Sequence, residues 1–426
     1  MKTILSVACC GLFLFSGCGE SVNNGTHTVK YYTSSSPKTG HFIDSGVDGL
    51  EYERYNHATY TTEAGGSFRY NYGEILTFKI GGLVLGKTVG LSTVTPKDIV
   101  SYANQELNTS IYAPEVNNRV RLLMSLDEDG NAANGIQISV TTRTQAASWS
   151  TPDFNLSESA FTTALHSATN NQITTVVSKS AAETHFASSL RCVYSGAFRG
   201  SWILPNQAKD GFVGVMIQSD GNIMALGDGQ DIDGDGVFNE VIYSTGKHNM
   251  DTGVYDFNAT YNFDVNAGRI VGTNITDING TGTSQGYNRV RGSFTQDGQT
   301  GNYTASRVGS GINTSFRYTG FGYSNSTTAA DTPSSDPLLG LFTFDIDRDG
   351  KIVGMIHDAR TNDEPELSGN IDYNTGLVSI DLKSGLGHTL QGSITFNGLV
   401  HLTWYDANHQ KLGYIDGIGC QLQTHN

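Results

Sequence analysis

Between residues 41 and 90 short aromatic or β-branched runs alternate with glycine breaks: Gly46 to Tyr52, Gly66 to Tyr70 and Glu74 to Ile80. In the last run Ile75, Phe78 and Ile80 alternate imperfectly with polar residues, and all three runs predict strands of a small β-module. The period then lengthens. Thr95-Pro96-Lys97-Asp98 carries the signals of a helix start: an N-cap threonine, proline at the first helical position and an acid in the first turn. A second helix is expected from about Ala113, with Val116, Val120, Leu123 and Met124 on one face, stopping at the polar run Leu126 to Asn131. Further helices are expected from Ser157 to His166 and from Ala181 to Cys192.

From Tyr194 onward strands and tight turns return, and they repeat. Gln218 to Ile223 corresponds to Asp347 to Ile352, each an Asp-Gly hairpin. Asp264 to Gly268 corresponds to Asp372 to Gly376, and Gly292 to Gly298 to Gly392 to Gly398. Three matches in one order imply duplicated antiparallel meanders, at about residues 194–310 and 316–422, closed as a barrel or packed as a sandwich. The shrinking separation between matched turns places extra residues in the first copy, mostly between its first and second matched turns. The expected fold is therefore mainly β, with a front module and helical segment at 41–191 and a duplicated meander domain at 192–426.

Composition fits this outline. The chain holds 51 glycines, 20 tyrosines and 19 phenylalanines, with only 16% charged residues, a β-rich and turn-rich profile. A net charge of -15 argues against nucleic acid, which requires clustered Lys and Arg, and leaves carbohydrate, protein, cations and small polar ligands open.

The start of the chain names a compartment. Met1-Lys2 precedes an apolar run from Ile4 to Phe15, too short to span roughly 30 Å of hydrocarbon, and Ser16-Gly17-Cys18 follows. This resembles the lipobox of bacterial lipoproteins, with Phe15 at the usual leucine position. The resemblance implies cleavage after residue 17, acyl chains such as palmitate on Cys18, and, with Gly19 and Glu20 next, sorting to the outer membrane. Residues 18–40, rich in Ser, Thr, Asn and Gly, would be a tether. The stretches DSGVDGLEYE (44–53), GGSFRYNYGEILTFKIGGLVLG (65–86), NNRVRLLMSLDEDGNAANGI (117–136) and AAETHFASSLRCVYSGAFRG (181–200) resemble a module at the front of Gram-negative surface lipoproteins labelled adhesin-like. That group carries no established activity to transfer. In an oxidising compartment Cys192 and Cys420 are expected to form a disulfide tying the first strand to the last, the alternative being two buried thiols.

Asp231, Asp233 and Asp235 stand at every second position before Gly236, with Val237, Asn239 and Glu240 following. This spacing suits calcium, a hard cation that takes six to eight oxygens, with the Val237 carbonyl as one ligand. Ile242 occupies the twelfth position of such a loop, so Glu240 supplies the last carboxylate or the site is incomplete. Asp127, Asp129 and Asn131 form a second candidate site, or a polar turn. The Asp345, Asp347 and Asp349 run reads as a hairpin. Gly81 to Thr88 spells a phosphate-binding loop, but its Leu-Val-Leu interior is strand and no helix follows. His185 reads as a core or capping residue. The expected role is non-enzymatic: a lipid-anchored binding or adhesion protein for a protein or carbohydrate ligand, with a calcium-stabilised loop. The alternatives are a secreted hydrolase of polysaccharide or peptide, and a surface lipoprotein capturing a nutrient or metal carrier.

Overall fold

Short strands with one apolar face build the front of the fold: β1 (Lys38–Phe42), β2 (Val47–Asp48), β3 (Glu51–Glu53), β4 (Thr59–Thr61), β5 (Ser67–Tyr70), β6 (Ile75–Ile80), β7 (Leu83–Val89), β8 (Thr93–Val94) and β9 (Ile136–Gln137). The computed structural model describes residues 36–106, 109–204, 209–230, 240–264, 269–273, 278–307, 316–324, 338–347, 349–358, 365–372, 374–394 and 399–421. The segment read as a signal, Cys18 and most of the stretch read as a tether lie outside them. The front strands pair as β5-β1-β8, β4-β3-β6-β7 and β2-β9. On β6 the buried side chains are Leu76, Phe78 and Ile80, while Ile75 faces out, so the alternation starts one residue later than the sequence suggested. The Gly81 to Thr88 run forms the β6–β7 turn and strand β7, as its apolar interior requires.

Five α-helices follow: α1 (Pro96–Asn104), α2 (Pro114–Ser125), α3 (Val140–Gln145), α4 (Glu158–Ala168) and α5 (Lys179–Tyr194). Thr95 caps α1 in a reciprocal capping box with Asp98, which satisfies two amide donors that a helix start leaves open. Val116, Val120 and Leu123 bury one face of α2. Helix α3, short and capped by Ser139, was not among the expected elements.

Among the described residues the elements that follow are strands: β10 (Gly196–Leu204), β11 (Lys209–Ile217), β12 (Asn222–Gln230), β13 (Glu240–His248), β14 (Val254–Asp264), β15 (Arg269–Thr273), β16 (Asn279–Gln285), β17 (Arg289–Gln296) and β18 (Gln299–Arg307) form one sheet. That sheet curls until β13 pairs with β14 and β10 with β18, so eight antiparallel strands hydrogen-bond in a circuit. Strand β15 stands outside it, paired with the far half of β14, whose near half pairs with β16. A second circuit contains β19 (Phe316–Ser324), β20 (Leu338–Ile346), β21 (Lys351–Asp358), β22 (Glu366–Asp372), β23 (Leu377–Leu382), β24 (Thr389–Ile394), β25 (Leu399–Tyr405) and β26 (Lys411–Gln421), a closed barrel. Closure removes the exposed edges of an open meander and selects barrel over sandwich.

Only the first of the three matched turns occupies equivalent places: β11–β12 and β20–β21 both join the second and third strands of their circuits. Asp264 to Gly268 follows β14 and leads to the extra strand β15. The counterpart of Asp372 to Gly376 is instead Asn249 to Gly253, between fourth and fifth strands. In both, the glycine N–H returns to the first carbonyl, at 2.8 Å for Gly253 and 2.7 Å for Gly376, with φ of 70° and 71°. Gly292 to Gly298 precedes the eighth strand of its circuit, whereas Gly392 to Gly398 precedes the seventh. The insertion in the first circuit is thus centred on β15, after the second equivalent turn.

Pro37 to Asn426 forms one compact unit. A continuous core runs from Val116 and Val120 on α2, through Phe186 and Leu190 on α5, to Phe198 and Trp202 inside the first barrel. The helices thereby seal one end of that barrel. Arg307 locks the junction: its guanidinium donates to the carbonyls of Ser195 at 2.6 Å, Val193 at 2.9 Å and Tyr287 at 2.7 Å, capping the negative end of α5. Cys192 and Cys420 are disulfide-bonded, with Cα atoms 5.2 Å apart. Cys192 lies on α5, so the bond ties this helix, not the first strand, to the last strand of the second barrel.

Candidate functional site

The outer face of the first barrel carries an open trough of about 610 Å³. Strict alternation on β16, β17 and β18 sends Val290, Phe294, Tyr303 and Ala305 inward and leaves the intervening side chains in solvent. Register sets those side chains in rows across the strands. Thr281 lies beside Ser293 and Asn302; Thr283 beside Arg291 and Thr304; Gln285 beside Arg289 and Ser306. Arg289 and Arg291 share one face of β17, with Cα atoms roughly 7 Å apart by strand geometry. The Gln285 amide oxygen, in its satisfied orientation, accepts from Arg291 Nε at 2.7 Å and Nη2 at 3.1 Å, which holds the guanidinium against β16. The lining holds two cations, hydroxyls and amides, and no carboxylate. Asp256, the neighbour of Thr281 on β14, accepts from the Lys247 amide.

The interior beneath is closed by aromatic packing. Gly282 and Gly292 face inward, where a Cβ would come 2.1 Å and 2.4 Å from the Tyr303 hydroxyl, so only glycine admits that ring. Tyr303 donates to Tyr255 Oη at 2.8 Å. At the sealed end His248 bonds Ser284 Oγ at 3.0 Å through Nε2, and its ring lies 4.8 Å from that of Tyr194. Burial first, and Lys97 second, push the His248 imidazole down to about 4.

Lys97 itself is buried. Its ammonium donates to Tyr194 Oη at 3.4 Å and to the Asp251 carbonyl, while Asp251 accepts from the Ile111 amide at 2.6 Å and Ser110 Oγ at 2.9 Å. Asp98 accepts from Thr95 and from Tyr287 Oη at 3.2 Å. Burial lowers the Lys97 pKa and raises that of Asp98. These groups weld two hairpins of the barrel, 249–253 and 286–288, to α1.

His185 has a specific partner. Its Nε2 sits 3.3 Å from a carboxylate oxygen of the fully buried Asp44, 3.4 Å from Ser45 Oγ and 3.4 Å from the Asp44 carbonyl. Burial raises the Asp44 pKa against the pull of His185; on His185, burial lowers and Asp44 raises, for a net rise. Serine, imidazole and carboxylate here meet at one ring nitrogen. A nucleophilic triad needs them at opposite nitrogens, so the cluster reads as a polar staple between α5 and the end of β1. That agrees with a packing role for His185.

Asp231, Asp233, Asp235, Val237 and Asn239 lie outside the described residues. Glu240 opens β13, its backbone in register with Gln230 and Asp264. The second candidate site is a hydrogen-bonded turn: Asp127 accepts the Gln137 amide at 2.9 Å, and Asp129 accepts the Asn131 amide and the Asn134 side chain, both at 2.8 Å. Asp347 likewise closes its hairpin, accepting from the amides of Asp349 and Lys351. Among the described residues no group of three His, Cys, Asp or Glu is placed to hold a metal. Sequence reasoning missed Arg289 and Arg291. Their signal was the alternation of Thr, Gln, Arg and Ser with Gly, Val and Phe from Thr281 to Thr295. No protein-family model matches the chain, and no curated protein matches it.

Proposed function

We propose that the protein is a lipid-anchored binding protein of the cell envelope, held through acylated Cys18, whose first barrel binds an acidic polysaccharide along its outer face. The observation that supports this reading is the trough of hydroxyls and amides flanked by Arg289 and Arg291 and lined by no carboxylate. Guanidinium groups fork onto carboxylate or sulfate oxygens, and neighbouring Thr, Ser and Asn side chains match sugar hydroxyls. The chain's net charge of -15 does not preclude this, because surface charges are screened beyond roughly 8 Å at physiological salt.

Titration calorimetry with alginate and with a neutral glucan tests the reading. The acidic polymer binds, and tenfold more salt weakens it. Replacing Arg289 and Arg291 by Ala weakens binding by about a hundredfold, at roughly tenfold per charge-assisted contact, with unchanged melting. Lysine replacements restore only part, since an ammonium does not fork. Equal binding by the double alanine variant, or none by wild type, would sink the proposal.

A further inference from the structure

A second surface lies where the chain joins the fold. Three tyrosines of the front module stand in solvent: Tyr55 at 70%, Tyr60 at 42% and Tyr72 at 87% exposed. They converge on one buried carboxylate, Glu74. It accepts from Arg54 at 2.9 and 2.8 Å, from the Tyr55 amide at 3.3 Å and from the Asn71 amide at 2.7 Å. Its carbonyl accepts from the amide of Gly90, the residue before Leu91, at 2.7 Å. Two loops, 54–58 and 71–74, are therefore rigidly joined with their tyrosines outward.

Two cations stand against these rings. The Arg54 guanidinium carbon stands 6.0 Å from the ring centres of both Tyr55 and Tyr60, and Lys38 Nζ stands 5.7 Å from that of Tyr72. Lys38 is the second residue of the compact unit, paired in register with Tyr70. Whatever precedes residue 37 thus leaves the fold beside Tyr72.

We propose that this patch is a membrane-contact face that lays the front module on the bilayer to which Cys18 is anchored. Tyrosine rings partition to the interface between headgroups and acyl chains, and Lys and Arg beside them meet anionic headgroups. An isolated exposed apolar residue needs no explanation, but three tyrosines grouped around the Arg54–Glu74 pair, with Lys38 beside them, do. The tether's exit at the patch selects a bilayer over a distant partner, since a short linker raises the local concentration of the surface it is tied to. The proposal rests on the lipid-anchor reading for its setting, but the contact itself needs no acyl chain.

The test uses the full mature chain produced without acyl groups, sedimented with vesicles of phosphatidylethanolamine and phosphatidylglycerol. Wild type co-sediments. Tyr55→Ser combined with Tyr72→Ser reduces binding about fivefold or more, Lys38→Glu reduces it less, and higher salt weakens the Lys38 contribution. Exposed positions leave the melting temperature in place, which separates lost contact from lost fold. No vesicle binding by wild type, or equal binding by the tyrosine variant, overturns the proposal. Retention on neutral glycan beads that vesicles do not displace also overturns it, in favour of a sugar platform. Detergent partition of the full-length protein against Cys18→Ser reports on the anchor separately, so failure of either reading is visible alone.

Discussion

The two barrels share one circuit of eight strands and fill it differently. The second is packed with aliphatic and phenylalanine side chains: Phe342, Phe344, Ile352, Leu367, Ile380, Leu390, Val400, Leu402 and Ile415. The first is packed with Trp202, Phe257, Phe294, Tyr255 and Tyr303, and carries His248 and Ser284 at its sealed end. The strand pattern closes a barrel in either case. The difference lies in what each barrel joins. Polar groups on the hairpins at the sealed end of the first barrel, Tyr287 Oη and the Asp251 carbonyl, find their partners in Asp98 and Lys97 of α1. An isolated barrel would leave them orphaned at a cost of about 1–3 kcal/mol each. The second barrel has no helical lid among the described residues. It rests against the first through β10 and β20, where Leu341 packs near Gly214, and is bonded covalently to α5.

The largest expected effect follows from that covalent link. The disulfide spans 228 residues of sequence, and the chain-entropy relation gives a loop of that size about 5 kcal/mol of stabilisation. Cys420→Ala should release β26 and with it the closure of the second barrel. The first barrel keeps Arg307 and the helical seal. Hydrogen exchange checks this: protection falls across β19 to β26 and holds across β10 to β18. An equal fall in both barrels would mean that they unfold as one cooperative body, and would break the comparison.

Acid should act the other way. His248 titrates at about 4 in the folded protein, against about 6.5 for a free imidazole. Its folded value is depressed, so the unfolded chain binds the extra proton. The stability of the neutral, buried ring is fully present above about pH 6.5 and is lost as pH falls towards 4, by about 3 kcal/mol. Melting monitored from pH 7 to 4.5 should show the first barrel losing protection before the second, and His248→Gln should shrink that loss. An acid response located first in the second barrel would contradict the assignment.

The same contrast explains what could be read in advance. The α1 start was legible because Thr95, Pro96 and Asp98 are a local signal, and the Cys192 to Cys420 pairing because only these two of the five cysteines lie beyond Cys18. Which hairpin matched which was not legible. Asx-Gly chemistry recurs at any tight turn, so Asp264 to Gly268 looked like Asp372 to Gly376, while the true counterpart, Asn249 to Gly253, spells its glycine turn with Met, Asp and Thr. Position in a circuit is fixed by ladders between distant strands, which no local window contains. The trough was half legible: alternation marked Arg289 and Arg291 as one face, but only closure decides that this face is the outer one. The tyrosine patch was hidden because Glu74 gathers loops 20 residues apart in sequence.

The smallest effect probes the filling of the first barrel most directly. Tyr303 donates to Tyr255 Oη at 2.8 Å and contacts the Thr281 carbonyl at 3.2 Å, all within the packed interior. Tyr303→Phe removes one hydroxyl and leaves the Tyr255 oxygen without its donor, at a cost of about 1–2 kcal/mol. Tyr255→Phe alone should cost less, because Tyr303 retains Thr281. If the hydroxyls matter through each other, the double phenylalanine variant costs less than the two single losses together, since it strands neither group. Urea melts of the four proteins measure this coupling. Additive losses would mean that each hydroxyl is satisfied elsewhere, and that the polar filling of the first barrel stabilises it no more than the apolar filling does the second.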